Sequence, residues 1–360
     1  MKKICFLNGN MSRAGGTERV TSMIANELVK DSAYEIHVLS VTNPTMTSFF
    51  ELHSSVYQAT LLRKEDVDLK YDYFKIVKKL RQYLKTHQID ILIEVDVICN
   101  LYTIPATRWT KVKTISWEHF NYYSNNGSRL RDLSRKLTKY FSTHIVTLTE
   151  QDRRNYQEHL GIKDKITCIY NPIEKIPETM YQSESKQIIS VGRLMYQKGF
   201  DMLCEVAKEV LTKHSDWIWL IIGEGAERPM LEKKIKEYHL EGRLVLTGNQ
   251  KEMSHYYQDS SFFVMTSRYE GLPMTLLEAK SYRLPIVSFD CQTGPAEIIQ
   301  DGVNGYLVTL EDCEGMIGKI EELLNSREKL VKFSNHSQCN IEKFNKERVI
   351  MEWRELLNAI

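Results

Sequence analysis

The sequence predicts an α/β protein made of two doubly wound parallel-sheet domains. Three observations carry this expectation. Short apolar runs rich in β-branched residues alternate with amphipathic helical runs, which is the pattern of a parallel sheet with helices on both faces. The alternation occurs twice, once before about residue 150 and once after residue 186. Between the two series, KITCIYNPIEKIPE (165–178) breaks the period with two prolines. It reads as the last strand of the first domain followed by a linker. A chain of 360 residues is long enough for two ordinary domains.

The elements follow in order. In the first half, strands are expected at KICFLNG (3–9), EIHVLSV (35–41), DILIEV (90–95), KTISW (113–117) and HIVTLT (144–149). Helical runs such as TERVTSMIANELVK (17–30) lie between them. In the second half, strands are expected at QIISVG (187–192), WIWLIIG (217–223), RLVLTG (243–248), SFFVMTS (261–267) and LPIVSFD (284–290). Helices are expected at 199–214 and 227–239, with a last one near 346–358. Open α/β sheets bind ligands at the carboxyl ends of their strands. Two such domains facing a cleft would bring their loops to one place.

Composition sets limits. The chain is 42% hydrophobic and 26% charged, as expected of a folded globular protein. No apolar run reaches membrane-spanning length, and the run Ile4–Leu7 is too short for a signal-peptide core. Seven scattered cysteines without a CxxC pair suggest reduced thiols. A cytoplasmic protein is therefore expected. Residues 1–170 hold 25 Lys and Arg against 18 Asp and Glu, whereas residues 171–360 hold 23 against 29. Either the basic first half meets something anionic or the asymmetry is ordinary surface variation.

Four loops that follow strands could carry chemistry. In SRYEGLPMTLLEA (267–279), Glu270 lies on a loop and Glu278 inside the next helix, which starts near Pro273. That helix start could hold a phosphate, with the two carboxylates gripping sugar hydroxyls on either side. A capping glutamate plus a solvated one is the plainer alternative. In ISVGRLMYQKGFD (189–201), Arg193 and Lys198 flank a turn with Gly192 and Gly199, as phosphate ligands or as solvated cations. In FLNGNMSRAGGTERV (6–20), Gly15 and Gly16 open a helix whose start favours an anion, although this is neither a GxGxxG nor a P-loop pattern. In ISWEHFNYY (115–123), Glu118 and His119 should emerge at the cleft, where a histidine could donate to a sugar hydroxyl or simply pack. Asp66 and Asp68 resemble a metal-binding DxD but sit in a charged, loop-like stretch. The histidines show no metal-ligand spacing.

Taken in order, these segments resemble the retaining GT-B glycosyltransferases of family 4, of the bacterial surface-polysaccharide type. GGTE (15–18), VGRLMYQKGFD, IIGEGAERPMLE (221–232), the E-x7-E spacing of SRYEGLPMTLLEA and GPAEIIQDGVNGYLV (294–308) carry the resemblance over nearly the whole chain. The resemblance implies two Rossmann-like domains. The first is an acceptor-side domain over 1–170, with the C-terminal helix (346–360) crossing back onto it. The second is a nucleotide-sugar donor domain over 171–345. It implies catalytic roles for Glu270, His119, Arg193 and Lys198. It also implies donor contacts from Gly16, Arg193, Lys198, Gly271, Leu272, Met274, Thr275 and Glu278, with Glu270 near the sugar and Glu278 on the ribose. No metal and no other cofactor is implied.

The expected activity is transfer of a sugar, with retention, from a nucleotide-sugar (a UDP-sugar by expectation) to a hydroxyl of a saccharide acceptor. The acceptor is expected to be lipid-linked, in bacterial surface-polysaccharide synthesis. The alternatives are a soluble starch-, glycogen- or sucrose-type transferase and a non-catalytic nucleotide-sugar-binding regulator. Nucleic acid is not an expected partner. In YDYFKIVKKLRQYLKTHQ (71–88), Phe74, Val77, Leu80 and Leu84 form one stripe beside Lys75, Lys78, Lys79, Arg81 and Lys85. Either the stripe packs on the sheet, or this basic segment, with SRLRDLSRKLTKYF (128–141), rests on an anionic membrane surface.

Overall fold

The structure is a computed structural model that describes residues 1–125, 127–173 and 181–360. The expected linker runs into 174–180, outside the described residues. The chain divides into two compact units, Met1–Pro172 with Asn345–Ile360, and Ile173–Phe344. The boundary falls at Pro172/Ile173.

Among the described residues, the first unit holds seven parallel strands: β1 (Lys2–Asn8), β2 (Tyr34–Thr42), β3 (Tyr57–Leu62), β4 (Ile91–Val95), β5 (Lys113–Trp117), β6 (His144–Thr147) and β7 (Ile166–Cys168). Their order is β3-β2-β1-β4-β5-β6-β7, so the winding reverses between β1 and β4. Neighbours pair in parallel register, Ile4 opposite Ile36 on one side and Ile91 on the other. β1, β2 and β4 are buried almost throughout, as strands covered on both faces must be. The helix Leu69–His87 is capped by Asp68, whose side chain accepts from the Lys70 amide at 3.0 Å. Its Ile76, Leu80 and Leu84 pack with Leu39, Leu61 and Leu92 in the core. The expected stripe is therefore split. Leu80 and Leu84 face inward, while Phe74 is 81% exposed.

The C-terminal helix Lys346–Ala359 belongs to this first unit. Its buried Trp353 meets Trp117 edge-on, with ring centroids 4.9 Å apart. Lys2 donates to the Leu357 carbonyl at 2.7 Å.

Among the described residues, the second unit holds six parallel strands: β8 (Gln187–Val191), β9 (Ile218–Ile222), β10 (Leu244–Gly248), β11 (Phe262–Met265), β12 (Ile286–Phe289) and β13 (Gly305–Val308). Their order is β10-β9-β8-β11-β12-β13, reversing between β8 and β11. Helices Phe200–Lys213 and Cys313–Leu324 bury Leu203, Val210, Ile320 and Leu323 in one core with Trp219 and Phe262. In each unit the reversal opens a crevice at the carboxyl ends of two adjacent central strands, the usual ligand position in open α/β sheets.

Candidate functional site

In the second unit the reversal point lies between β8 and β11, and the loops that leave these strands carry three of the sequence candidates. After β8 the chain passes Gly192 and Arg193, makes a short 3-10 turn over Tyr196–Lys198, and enters the helix Phe200–Lys213. Gly199 joins the two with φ +64°, and a β-carbon there would lie 2.1 Å from the Thr266 carbonyl oxygen. Only glycine fits that position. At Gly192 a β-carbon would come within 3.2 Å of Cγ and Cδ of Lys198, whose stem passes across it.

After β11 the loop 266–273 runs beside the first. The Arg268 amide donates to the Gln197 carbonyl at 2.8 Å, and the Thr266 hydroxyl to the Lys198 carbonyl at 3.1 Å. The Arg268 guanidinium holds both oxygens of Asp201, at 2.8 and 2.7 Å, and stacks 4.0 Å from the Tyr196 ring centroid. A third loop, after β12, holds the second from the other side. The Glu270 amide donates to the Gln292 carbonyl at 3.0 Å, and the Thr293 amide donates back to the Glu270 carbonyl at 2.9 Å.

This scaffold brings Lys198 and Glu270 together. Lys198 Nζ donates to Glu270 Oε1 at 2.6 Å, with 17% of the lysine side chain and 8% of the glutamate side chain exposed. Arg193 lies on the same loop as Lys198 and is exposed. Beyond Glu270, Gly271 and Leu272 are buried and lead to the helix Met274–Ser281. No side chain caps that helix start, so its first amides and its dipole remain available to an anion. Met274 and Thr275 form its first turn, and the Thr275 hydroxyl is buried without a partner among the described residues. Glu278 lies in the second turn and accepts from the Tyr257 hydroxyl at 2.6 Å. A cation, an uncapped helix start and two carboxylates thus border one loop system. That chemistry suits a ligand with a doubly charged phosphate group flanked by hydroxyl-bearing rings.

The remaining candidates lie in the first unit. Gly16 opens the helix Gly16–Leu28, which also lacks a side-chain cap. His119 follows β5, buried against Trp117 at 4.2 Å between ring centroids, and its Nε2 has no partner among the described residues. Burial pushes its pKa down to about 3, so the imidazole is neutral. Glu118 departs from expectation. It does not emerge beside His119 but is fully buried, accepting from Arg135 Nε at 2.7 Å, the Tyr156 hydroxyl at 2.6 Å and the Phe120 amide at 3.0 Å. Burial alone would raise its pKa, but the charges of Arg135 and Arg131 and the hydrogen bonds from Arg135 and Tyr156 together outweigh this and hold it below the usual carboxylate range. Glu118 is therefore a structural anion.

Sequence reasoning missed Arg268 with Asp201, and Tyr257 behind Glu278. It also missed Asp96, which follows β4 at φ +91° and pairs with Arg131. Asp66 and Asp68 are occupied elsewhere, by Arg13 at 2.8 Å and by the helix cap. Among the described residues, no group of three or more His, Cys, Asp or Glu could hold a metal ion.

Residues 14–175 match the family described as Glycosyltransferase Family 4, and residues 173–338 match Glycosyl transferases group 1. The chain is 34% identical over 358 residues to an uncharacterized glycosyltransferase of Haemophilus influenzae, covering 99% of this chain and all of that protein. It is 28% identical to the amylovoran biosynthesis glycosyltransferase AmsD of Erwinia amylovora, covering 99% of this chain and all of the relative. A crystal structure of a Staphylococcus aureus TarM variant, in complex with UDP and saccharide ligands, superposes with a TM-score of 0.70 at 25% identity. That match covers 79% of this chain and 59% of TarM. Two parallel-sheet units, family matches that together span both of them, and a full-length relative agree: this chain is a glycosyltransferase with the GT-B fold, and it belongs to the family 4, group 1 glycosyltransferases.

Proposed function

We propose that this protein transfers a sugar, with retention of anomeric configuration, from a UDP-sugar to a hydroxyl of a lipid-linked saccharide during assembly of a bacterial surface polysaccharide. The observation that carries this reading is the contact of Lys198 with Glu270 beside the uncapped helix start at Met274, at the reversal point of the second sheet. Lys198, Arg193 and the helix amides take the two phosphates, where negative charge grows as the sugar departs. Glu278 takes the ribose and Glu270 a hydroxyl of the sugar. Glu270 is held by Lys198, which suits a carboxylate that orients the sugar better than one that attacks it. Retention then follows from attack of the acceptor hydroxyl on the face that the diphosphate leaves. Cations supplied by side chains make the reaction independent of metal. The polysaccharide setting draws on AmsD, and the uridine nucleotide on TarM. The protein works in the cytoplasm against the inner face of the membrane. Among the described residues, no helix is long and apolar enough to cross a membrane.

The test is a panel of UDP-, GDP- and ADP-sugars with the purified chain. Slow release of free nucleotide from one UDP-sugar without acceptor is expected, with an axial product linkage by NMR when the donor is α-linked. Release from GDP- or ADP-sugars alone would overturn the donor assignment. Tight UDP binding without turnover on any acceptor would indicate a binding protein.

A further inference from the structure

The helix Arg129–Phe141 packs with its usual polarity reversed. The residues it buries are Arg131, Ser134, Arg135 and Thr138. Those it exposes include Leu130, Leu133 (46% exposed), Tyr140 (72%) and Phe141. At about 100° per residue, Leu130, Leu133, Leu137, Tyr140 and Phe141 fall within an arc about 100° wide. The exposed Arg129 and Lys136 border that arc, and exposed Lys139 lies about 100° beyond its edge beside Asp132, the one acid of this helix.

The reversal has a local cause. Arg131 pairs with Asp96 at the end of β4, and Arg135 with Glu118 at the end of β5. A buried carboxylate needs a partner, and these arginines supply it. Docking the helix by its arginine face turns its leucines outward. Leu130 and Leu133 are left 38% and 46% exposed there, and an exposed apolar arc of this kind marks a contact surface.

A second element extends the surface. Arg108, Ile104, Val112 and Phe141 line one surface cavity of about 320 Å³. Next to Arg108 stands Trp109, 85% exposed at φ +60°, with the Arg108 guanidinium 4.7 Å from its ring centroid. Lys139 lies likewise over Tyr140, 5.7 Å from the ring centroid. Exposed Trp and Tyr beside Lys and Arg form the combination favoured at the boundary between headgroups and acyl chains.

We propose that the helix Arg129–Phe141, together with Trp109, is the surface by which this protein lies on an anionic phospholipid membrane. The leucines and aromatic rings enter the acyl boundary, and Arg108, Arg129, Lys136 and Lys139 meet the lipid phosphates. This deepens the reading of a membrane-linked acceptor and rests on it. It moves the contact from the helix Leu69–His87, whose apolar stripe is largely spent on the core, to a helix whose apolar arc is free. Charge decides between lipid and a second copy of the chain. A two-fold contact would set this basic border against itself, whereas an anionic bilayer complements it.

The experiment uses the full chain and vesicles of phosphatidylcholine, alone or mixed equally with phosphatidylglycerol. Trp109 is a built-in reporter, since Trp117, Trp217, Trp219 and Trp353 are buried. Binding to the mixed vesicles is expected to shift its emission to the blue. The shift should fade as salt shortens the Debye length from about 10 Å at 0.1 M to about 3 Å at 1 M. Leu130→Ser with Leu133→Ser, and separately Lys136→Glu with Lys139→Glu, should each lower vesicle binding about tenfold. Both pairs are surface changes, and UDP affinity should be unaltered. Loss of binding in Lys75→Glu with Lys78→Glu, with the leucine pair unaffected, would overturn the placement. A dimer in lipid-free sedimentation that Leu133→Ser dissolves would assign the arc to a second copy instead. Turnover on a soluble saccharide with no vesicle binding would sink this proposal alone. Vesicle binding without transfer would sink the proposed function alone.

Discussion

Replacing Lys198 with alanine should damage stability and turnover together, and a second substitution should separate the two. The pair has a 2.6 Å contact and is mostly buried. Removing one partner of a fully buried pair costs about 3–5 kcal/mol, and of an exposed pair under about 1 kcal/mol. With 17% and 8% of the two side chains exposed, the cost should lie between these limits, at about 2 kcal/mol. A urea m-value of about 2 kcal/mol/M turns this into a midpoint shift of about 1 M for the second unit. Trp217 and Trp219 lie in that unit's core and report its unfolding. Adding Glu270→Gln removes the carboxylate left behind, so Lys198→Ala/Glu270→Gln should regain at least half of the loss. Turnover should not return. Without the cation at the diphosphate it should stay about 10²–10³-fold down, the scale for deleting one preorganised charge stabiliser. If the double variant is no more stable than Lys198→Ala, the lysine does not act by neutralising Glu270. If the single variant keeps both its midpoint and its rate, the site is misassigned.

Other outcomes follow from the same geometry. Glu278→Gln should weaken UDP binding about tenfold by calorimetry with little change in saturated turnover, because a ribose contact acts on ground and transition states alike. Tyr257→Phe should give a smaller loss in the same direction, since its hydroxyl holds Glu278 in place; the reverse order would show that Tyr257 does not position it. His119 is held neutral by burial, with a pKa near 3, so its ring protons should not titrate between pH 5 and 8 in NMR. A midpoint near 6.5 would contradict that. Burial raises Glu94 to about 7, so the folded state holds its proton more tightly than the unfolded chain. Its stabilising contribution is complete below the ordinary carboxylate range and is lost as pH rises through about 7. That loss is about 3 kcal/mol at about 1.4 kcal/mol per pKa unit. Glu94→Gln should flatten this slope in urea midpoints taken at pH 5 and 8, and an unchanged slope would refute the burial argument. Activity should survive excess EDTA; loss on chelation, restored by Mg²⁺ or Mn²⁺, would return attention to Asp66 and Asp68.

The two-sheet architecture was legible because parallel strands covered on both faces must be continuously apolar. ICFL, ILIEV and FFVM stand out against the helices between them. The strands that escaped, β3 and β13, are both sheet edges. β3 begins with exposed Tyr57 and Gln58, so YQATLL carries little of that signal. The site was legible in its parts. Lys198 and Glu270 stood in separate motifs, 72 positions apart, and nothing in either motif states that they touch. Their contact depends on β8 and β11 becoming neighbours at the reversal of strand order, which only the assembled sheet decides. Arg268 went unnoticed for a related reason. Its partner, Asp201, lies on the other loop, and their pairing joins the two motifs into one surface.

Glu118 and the helix Arg129–Phe141 show the same limit from the other side. A carboxylate just after a central strand reads as a site residue, and a run with five Lys and Arg in 128–141 reads as a basic outer face. Each reading is incomplete because the other is missing. Arg135 leaves the solvent to neutralise Glu118, and Glu118 is buried at acceptable cost because Arg135 and Tyr156 come to it. Hydrophobic periodicity can locate a stripe such as Leu130, Leu133 and Leu137 but cannot say which way it faces. The usual rule sends it to the core. Here two buried charge pairs outweigh that rule, since leaving Asp96 and Glu118 without Arg131 and Arg135 would cost more than exposing three leucines. At about 1.5–3 kcal/mol for each fully buried leucine, and with these only partly exposed, the apolar term is the smaller one. One arrangement of charge at the ends of β4 and β5 therefore does two things. It fixes the loop that carries His119, and it turns an apolar arc toward whatever this enzyme rests on.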